Sequence, residues 1–142
     1  MPNMSPLSRV LLFSRLVREL FRYDLVMAIL GFRGVRRQMP IREFRGSRAR
    51  PDIASAICEA MICEAMICEA VGCITPFYWK PVKCLQRSVV TARALRAYGI
   101  DADVVIGYRL APFLSHAWVE VGGRIVNDSP VFQHRLQVLE RI

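Results

Sequence analysis

Three side chains in the second half of the chain have the types and the order that thiol chemistry on a carbonyl group requires. Cys84 begins a helix-like run just after Lys80 and Lys83, His116 opens a β-rich run, and Asp128 closes the next one. A helix N-terminus and neighbouring ammonium groups favour the thiolate over the thiol. A thiolate nucleophile needs an imidazole to share its proton, and the imidazole needs a carboxylate or amide to fix its tautomer. A helix start that faces two adjacent strands would bring the three together.

Each of these residues also has an ordinary structural role. A cysteine in an apolar chain commonly lies in the core, a histidine at the start of a strand is commonly structural, and an aspartate before Ser129-Pro130 is a usual turn former. The order cysteine, histidine, aspartate is a weak signal by itself. Spacing alone therefore leaves catalytic and structural roles open.

The elements that must position these residues follow from the apolar pattern. Residues 84–98 predict a helix that is capped by Gly99. Strands are then predicted in three runs rich in β-forming residues, at 100–108, 116–121 and 124–128. Helices first and an antiparallel meander after them give the α+β class.

The loop between the last two predicted strands decides which side chains share a face of the sheet. A three-residue loop ending at Gly123, with that glycine at positive φ, sets Glu120 opposite Arg124 as an ion pair and His116 opposite Asp128. Both pairs are chemically matched, so we predict this register. The His116 and Asp128 side chains should then lie within hydrogen-bonding reach.

A two-residue turn at Gly122-Gly123 is the alternative. It sets His116 opposite Ser129 and places Asp128 on the other face of the sheet. Asn127 would then be the better candidate to orient the imidazole.

The first third of the chain carries all of the excess positive charge. Residues 1–50 hold eleven arginines against three acidic residues, whereas residues 51–142 hold nine of each sign, and the net charge is +8. This asymmetry indicates an anionic partner, which is an acidic peptide, a nucleic acid or a membrane surface. Arg33, Arg36 and Arg37 are the candidate docking residues. A charged linker explains the same residues equally well.

Apolar residues recur at helical spacing over residues 7–30, which predicts one long amphipathic helix or two. Gly31 and Gly34 end the pattern. The arginines from position 33 to position 50 then predict an irregular, solvated stretch up to Pro51.

Residues 57–71 contain the unit Ile-Cys-Glu-Ala-Met twice and then a third time, ending in valine. A five-residue period advances by about 140° per unit around a helix, so the three glutamates point to different sides. We interpret the repeat as a tandem duplication that lengthened one helix, because removing two units leaves an ordinary helix from Pro51 to Cys73. The C-x4-C spacing lacks the C-x2-C pairs that are typical of zinc sites.

Size and composition predict a single domain, residues 1–142, with a core of its own, since 54% of the residues are hydrophobic. Charged residues interrupt the apolar run at 10–32, which falls short of the roughly 20 apolar residues that a membrane span needs. No small-residue cleavage site follows a clean apolar run. We expect a cytoplasmic protein without a membrane span, whose five cysteines are thiols. No pattern predicts a cofactor or a bound metal.

Four segments resemble one family in sequence and in order. They are Cys84-Leu85-Gln86-Arg87-Ser88, the helix exit at 94–100, His116-Ala117-Trp118-Val119-Glu120 and Val126-Asn127-Asp128. Together they resemble the transglutaminase-like cysteine peptidases, and more narrowly the leader peptidases, or B proteins, of lasso-peptide biosynthesis. The resemblance implies a papain-like or transglutaminase-like fold, in which N-terminal helices precede a catalytic helix and a small antiparallel sheet.

In that family a papain-like thiol chemistry removes the leader from a ribosomally made precursor. Carried over residue by residue, the resemblance makes Cys84 the nucleophile, His116 the base and Asp128 its orienter. Residues 73–130 become the catalytic core. Residues 1–50 become a basic helical subregion and a candidate docking surface.

The resemblance also implies partners. They are the precursor's leader peptide, a separate winged-helix protein that recognises the leader, and an ATP-dependent cyclase that closes the macrolactam. The backbone N–H of Cys84 is the natural first donor to the oxyanion of a thioester-forming step. Tyr78 or Trp79 is a candidate second donor.

Two other functions remain open on the sequence. A transglutaminase or amine acyltransferase uses the same three residues but resolves the thioester with an amine instead of water. A non-enzymatic basic adaptor would bind nucleic acid through residues 33–50. The adaptor is the weaker alternative, because those residues match no nucleic-acid-binding fold and include one aromatic residue beyond position 33, Phe44.

Overall fold

The computed structural model describes residues 6–39 and 53–142, with side chains in the second range from residue 60 onward. Within these two ranges, four helices and four strands follow one another, with a short 3₁₀ turn at Thr75–Phe77. The helices are α1 (Pro6–Arg37), α2 (Ile53–Ile74), α3 (Cys84–Ala97) and α4 (Val131–Arg135). The strands are β1 (Asp103–Arg109), β2 (Leu114–Val121), β3 (Arg124–Ile125) and β4 (Gln137–Arg141). The fold is α+β, as the sequence predicts.

The first helix is longer than its apolar pattern suggests. The prediction of an irregular stretch from position 33 onward is wrong for residues 33–37, which are helical. Gly31 takes a non-helical conformation with φ of 61° and ψ of −161°, so the break is confined to one residue. Val35 and Met39 beyond it are both 1% exposed, and this burial holds the extra turn against the core. The predicted arginine stretch at 40–50 lies outside the described residues.

The repeat lies within one helix, α2, as predicted. Its units have unequal surroundings, because a five-residue period turns each one to a different side. Ile67 and Val71 are buried in the core, whereas Met61 and Ile62 are more than half exposed. Glu64 is buried, so the second unit contributes a charge to the interior.

One apolar window among the described residues, Ala60–Phe77, is long enough to cross a membrane by length and composition. Within it, 28% of the residues are buried. Those residues include Ile67, Ala70 and Ile74, which belong to the core shared with α1 and α3. One side of the window therefore packs in this core, whereas most of its residues are not buried.

The third helix and the sheet form the second half of the molecule. Gly99 caps α3 with φ of 81°, and Ile100 donates its N–H back to the Leu95 carbonyl at 3.1 Å. The sheet has the order β3-β2-β1-β4 and is antiparallel throughout. One face packs on the helices through Val104 and Val119, whereas Trp118 lies on the other face. The pattern at 137–141 did not predict β4.

The predicted register of the β2–β3 hairpin is wrong. Val121 pairs with Arg124 and Glu120 pairs with Ile125, so Gly122-Gly123 forms a two-residue turn. Both glycines have positive φ, 57° and 78°, as the commonest two-residue hairpin turn requires. The expected positive φ at Gly123 is confirmed, but the three-residue loop is not.

The predicted ion pair between Glu120 and Arg124 is also wrong, since the register puts these side chains on opposite faces. Arg124 donates from Nη2 to both carboxylate oxygens of buried Glu64 at 3.0 Å. Glu120 instead accepts from Trp118 Nε1 at 2.8 Å and from Arg141 at 2.6 Å. The hairpin is thus tied to α2 on one face and to β4 on the other.

Candidate active site

The short third strand leaves part of the edge of β2 free, and α3 docks there. Val126 N–H still donates to the Val119 carbonyl at 3.0 Å, but the Val119 N–H donates to the side chain of Asn127 at 2.7 Å. Further along the same edge, Ser88 of α3 donates its hydroxyl to the Ala117 carbonyl at 3.0 Å. The side-chain amide of Asn127 donates to Ser88 Oγ at 3.2 Å. Three elements therefore meet at this edge.

His116 and Asp128 are brought together at this meeting point. His116 Nε2 lies 2.9 Å from Asp128 Oδ2, and both side chains are more than four-fifths buried. A two-residue turn would put them on opposite faces if the ladder continued to Asp128. The ladder instead ends where Asn127 replaces a main-chain partner, and residues 126–128 bend away from strand geometry. Alternation of faces therefore no longer applies at Asp128.

The hydrogen bond defines the tautomer of the imidazole. A carboxylate only accepts, so Nε2 carries the proton and Nδ1 is free to accept another. Phe132 of α4 packs against the ring, with centroids 4.2 Å apart and an angle of 32° between the planes. The histidine is thus fixed on two sides.

Cys84 is the first residue of α3 and is partly buried. Arg87, three residues later in the helix, joins this helix to the pair by donating from Nη2 to Asp128 Oδ2 at 2.5 Å. The start of α3, the start of β2 and the segment after β3 are therefore connected through Asp128. Cys84 itself lies one helical turn away from that contact.

Lys83 is the N-cap residue of α3 and makes no side-chain capping hydrogen bond. The first backbone N–H groups of the helix therefore have no side-chain cap as an acceptor. The N–H of Cys84 belongs to this set. The hydroxyl of Tyr78, a candidate second donor to the oxyanion, donates to Asp24 Oδ2 at 2.8 Å, so its proton is already used in a hydrogen bond. Trp79 is 69% exposed, and Lys80 Nζ lies 5.2 Å from its ring centroid.

A cavity of about 400 Å³ adjoins the start of α3. Residues of α1, of the loop before α3 and of α3 itself line it, among them Tyr23, Asp24, Lys80, Lys83 and Gln86. Burial, the Asp24 carboxylate and Cys84 together raise the pKa of Tyr23 to about 12, so its phenol stays protonated at neutral pH. Asp24 also accepts from Gln86 at 3.0 Å and pairs with Lys80 at 2.8 Å. The cavity therefore has fixed polar walls.

The candidate docking arginines lie on the last turns of α1, away from these contacts. Arg33 and Arg37 are exposed. Arg36 is exposed too, but its Nε lies 2.8 Å from Oε1 of Glu140 on β4. Among the described residues, Arg36 is thus held by an ion pair, whereas Arg33 and Arg37 have no ion-pair partner there.

Two of the other cysteines lie in an environment that suppresses the thiolate. Burial and then the Glu64 carboxylate raise the pKa of Cys68 to about 11, and Arg124 lowers it by a smaller amount. Burial also raises the pKa of Cys63. Cys73, by contrast, is exposed.

We therefore expect iodoacetamide at pH 8 to modify Cys73 of the folded protein while Cys68 stays unmodified. A thiol with a pKa of about 11 is almost entirely protonated at pH 8, and its modification should rise only as the pH approaches 11. Peptide mapping by mass spectrometry after timed alkylation gives the rate at each cysteine. Equal rates at Cys68 and Cys73 at pH 8 would contradict this expectation.

Several residues at the site carried no clear signal in the sequence. Arg87 is recognisable only by its position three residues after Cys84 on a predicted helix. Asn127 is the predicted orienter of the imidazole for a two-residue turn, but its side chain instead accepts from the Val119 N–H and completes the ladder of β2. Phe132 contacts His116 from a helix of five residues that the sequence pattern did not predict.

Comparisons with known proteins identify the family of the chain. A family model described as the transglutaminase-like superfamily matches residues 20–141. The microcin J25-processing protein McjB of Escherichia coli is 48% identical over 59 residues, which are 42% of this chain and 28% of that protein. The match thus spans less than a third of the length of this relative. No solved structure matches the chain.

Proposed function

The chain belongs to the transglutaminase-like superfamily, and from that membership we propose that it is a cysteine peptidase that removes the leader from a lasso-peptide precursor. The observation that carries the proposal is the hydrogen bond of 2.9 Å between His116 and Asp128, connected through Arg87 to the helix that begins with Cys84. The similarity to the microcin J25-processing protein McjB supports a precursor peptide as the substrate.

The first half of the reaction forms a thioester. The Cys84 thiol gives its proton to Nδ1 of His116, because Nε2 is held by Asp128. The thiolate attacks the carbonyl carbon before the scissile bond, and the backbone N–H of Cys84 donates to the oxyanion. When the tetrahedral intermediate collapses, the C–N bond breaks and the imidazolium gives its proton to the leaving amine. The linear core peptide departs with a free amino terminus.

The second half releases the leader. Water gives a proton to His116 and attacks the thioester carbonyl, and the C–S bond breaks with return of the proton to Cys84. The leader leaves with a free carboxylate. The cavity of about 400 Å³ beside α3 is the space we assign to a side chain of the precursor near the scissile bond.

Product masses test this proposal and separate it from amine transfer. The chain is incubated with a lasso-peptide precursor and a leader-recognition protein, with and without added glycine methyl ester. Hydrolysis predicts, in both samples, a leader fragment whose mass equals the sum of its residue masses plus one water. A leader fragment that carries the amine in place of water would make the chain an acyltransferase. An uncut precursor in both samples would refute the peptidase.

The proposal places the catalytic core in residues 73–130 of a single cytoplasmic domain. Phe132 and β4 extend the packing around this core. The partners we propose are the leader peptide, a separate winged-helix recognition protein and an ATP-dependent cyclase that acts on the product. No step in the proposed reaction requires a cofactor.

We further propose that the end of α1 docks the leader or its recognition protein. Reversing the charge of both Arg33 and Arg37 should raise KM for the full precursor by roughly tenfold, because each arginine offers an exposed cation to an anionic partner. The kcat should stay within twofold. Arg36 is left intact, since a glutamate there would face Glu140.

Fluorescence anisotropy with a labelled precursor, alone and with the recognition protein, measures the docking directly. Reversal of Arg15, which lies near the Tyr98 ring at 5.8 Å, is a control on the same helix. Unchanged affinity for both the precursor and the recognition protein would reduce Arg33 and Arg37 to solvated charges.

A further inference from the structure

Both carboxylate oxygens of Asp128 are engaged, and one of them has two partners. Oδ2 accepts from Arg87 Nη2 at 2.5 Å and from His116 Nε2 at 2.9 Å. Oδ1 accepts the backbone N–H of Ser129 at 2.9 Å. A single oxygen therefore holds the imidazole and a guanidinium at the same time.

The contacts of Arg87 are poor ones for a residue kept only for stability. The side chain is 36% exposed and reaches the carboxylate through one nitrogen, a geometry that contributes little to the folding free energy. Its Nε is buried and has no partner among the described residues, which is a cost to folding.

We propose that Arg87 is a positioning residue for the acyl transfer, which fixes the Asp128 carboxylate from the helix that carries Cys84. This inference rests on the function proposed above. The segment that carries Asp128 has left the β-ladder, so no main-chain pairing sets the place of this carboxylate. Arg87 restrains Oδ2 from one helical turn after the nucleophile, in addition to the contact of Oδ1 with the Ser129 N–H. The imidazole then keeps Nε2 bonded and Nδ1 available to the thiol.

A double-variant cycle tests the proposal in the full chain, with iodoacetamide as a small probe of Cys84 and a lasso-peptide precursor as the second substrate. The variants are Arg87→Met, Asp128→Asn and the two combined. Arg87→Met should slow alkylation of Cys84 by roughly tenfold and lower kcat by roughly 30-fold, with KM within twofold, because misplacing a reacting group affects the chemical step. In the Asp128→Asn background, Arg87→Met should lower the alkylation rate and kcat by less than twofold each, since Arg87 acts through that carboxylate.

Two further variants separate positioning from folding. Arg87→Lys should keep both rates within about threefold of the wild type, because the contact uses a single N–H that an ammonium can supply. Arg124→Met removes an arginine from another ion pair, and it should leave Cys84 alkylation unchanged. Thermal unfolding reports the stability of every variant.

Wild-type rates in a folded Arg87→Met protein would overturn the proposal. It would also be overturned if the rate of the combined variant fell by the product of the losses of the two single variants, because the two residues would then act independently. The alkylation arm also separates this inference from the proposed function. If the wild type leaves the precursor uncut while the alkylation cycle behaves as expected, the peptidase function fails and the role of Arg87 in placing the imidazole stands.

Discussion

The Cys84→Ala protein should lose on the order of 10⁴-fold or more of its leader-cleaving rate, because the scissile carbonyl then meets no nucleophile. The fold should survive. Cys84 is partly buried at the first position of α3, and alanine is the best helix former, so the melting temperature should move by no more than about 2 °C. Precursor cleavage followed by mass spectrometry, with circular dichroism on the same sample, measures both quantities.

Cys73→Ala is the matched control, because Cys73 is exposed on α2. Its activity should equal that of the wild type within twofold. Cleavage by Cys84→Ala at the wild-type rate, with Cys73→Ala equally active, would remove the thiol from the mechanism.

Gly107→Ala adds one methyl group, and we expect it to lower the unfolding free energy more than a methyl group added at any other position of the described sheet. Gly107 pairs with His116 across β1 and β2, and a Cβ at this position would lie 2.6 Å from Cη2 of Trp118 and 3.0 Å from Cβ of Leu136. Trp118 is fully buried and its Nε1 is bonded to Glu120, so the ring has little room to move. We expect a loss of about 2 kcal/mol in unfolding free energy, the usual cost of overpacking a core.

Gly72→Ala provides the control with the same chemical change. Gly72 lies inside α2 with nothing within 4 Å of an added Cβ, so alanine should stabilise the protein by about 0.5–1 kcal/mol. Urea titration at equal protein concentration gives both values. If Gly107→Ala is as stable as Gly72→Ala, Trp118 is not confined as the contacts indicate. Precursor cleavage by Gly107→Ala should also fall, since β2 carries both Trp118 and His116.

The sequence predicts the class of the fold because the relevant signals are local. Cys84 and Gly99 mark the two ends of α3, and the β-forming runs after it mark β1 and β2. The approach of His116 to Asp128 was also predicted, but from a register that the structure does not have. The contact arises because Asn127 ends the ladder early, and a side chain that replaces a main-chain partner leaves no trace in the alternation of polar and apolar residues.

Pairings between distant segments were beyond the reach of local patterns. Arg124 bonds to Glu64, sixty residues earlier, although Glu120 is the nearer carboxylate. The strand β4 exists because β1 has a free edge for it, and most of its residues are exposed, so the strand lacks an apolar alternation of its own. These pairings depend on tertiary packing.

The repeat in α2 has a consequence for the genetics of this chain. An allele that has lost either of the first two units encodes the same protein sequence, in which a glutamate still stands three residues before Ile67. That glutamate is the partner of Arg124, so such an allele keeps the ion pair and changes only the helix upstream of it. Loss of both units brings Ala54 to this position, so that Arg124 loses its carboxylate partner. Length variants with two units should therefore be tolerated in a population, whereas those with one should be rare.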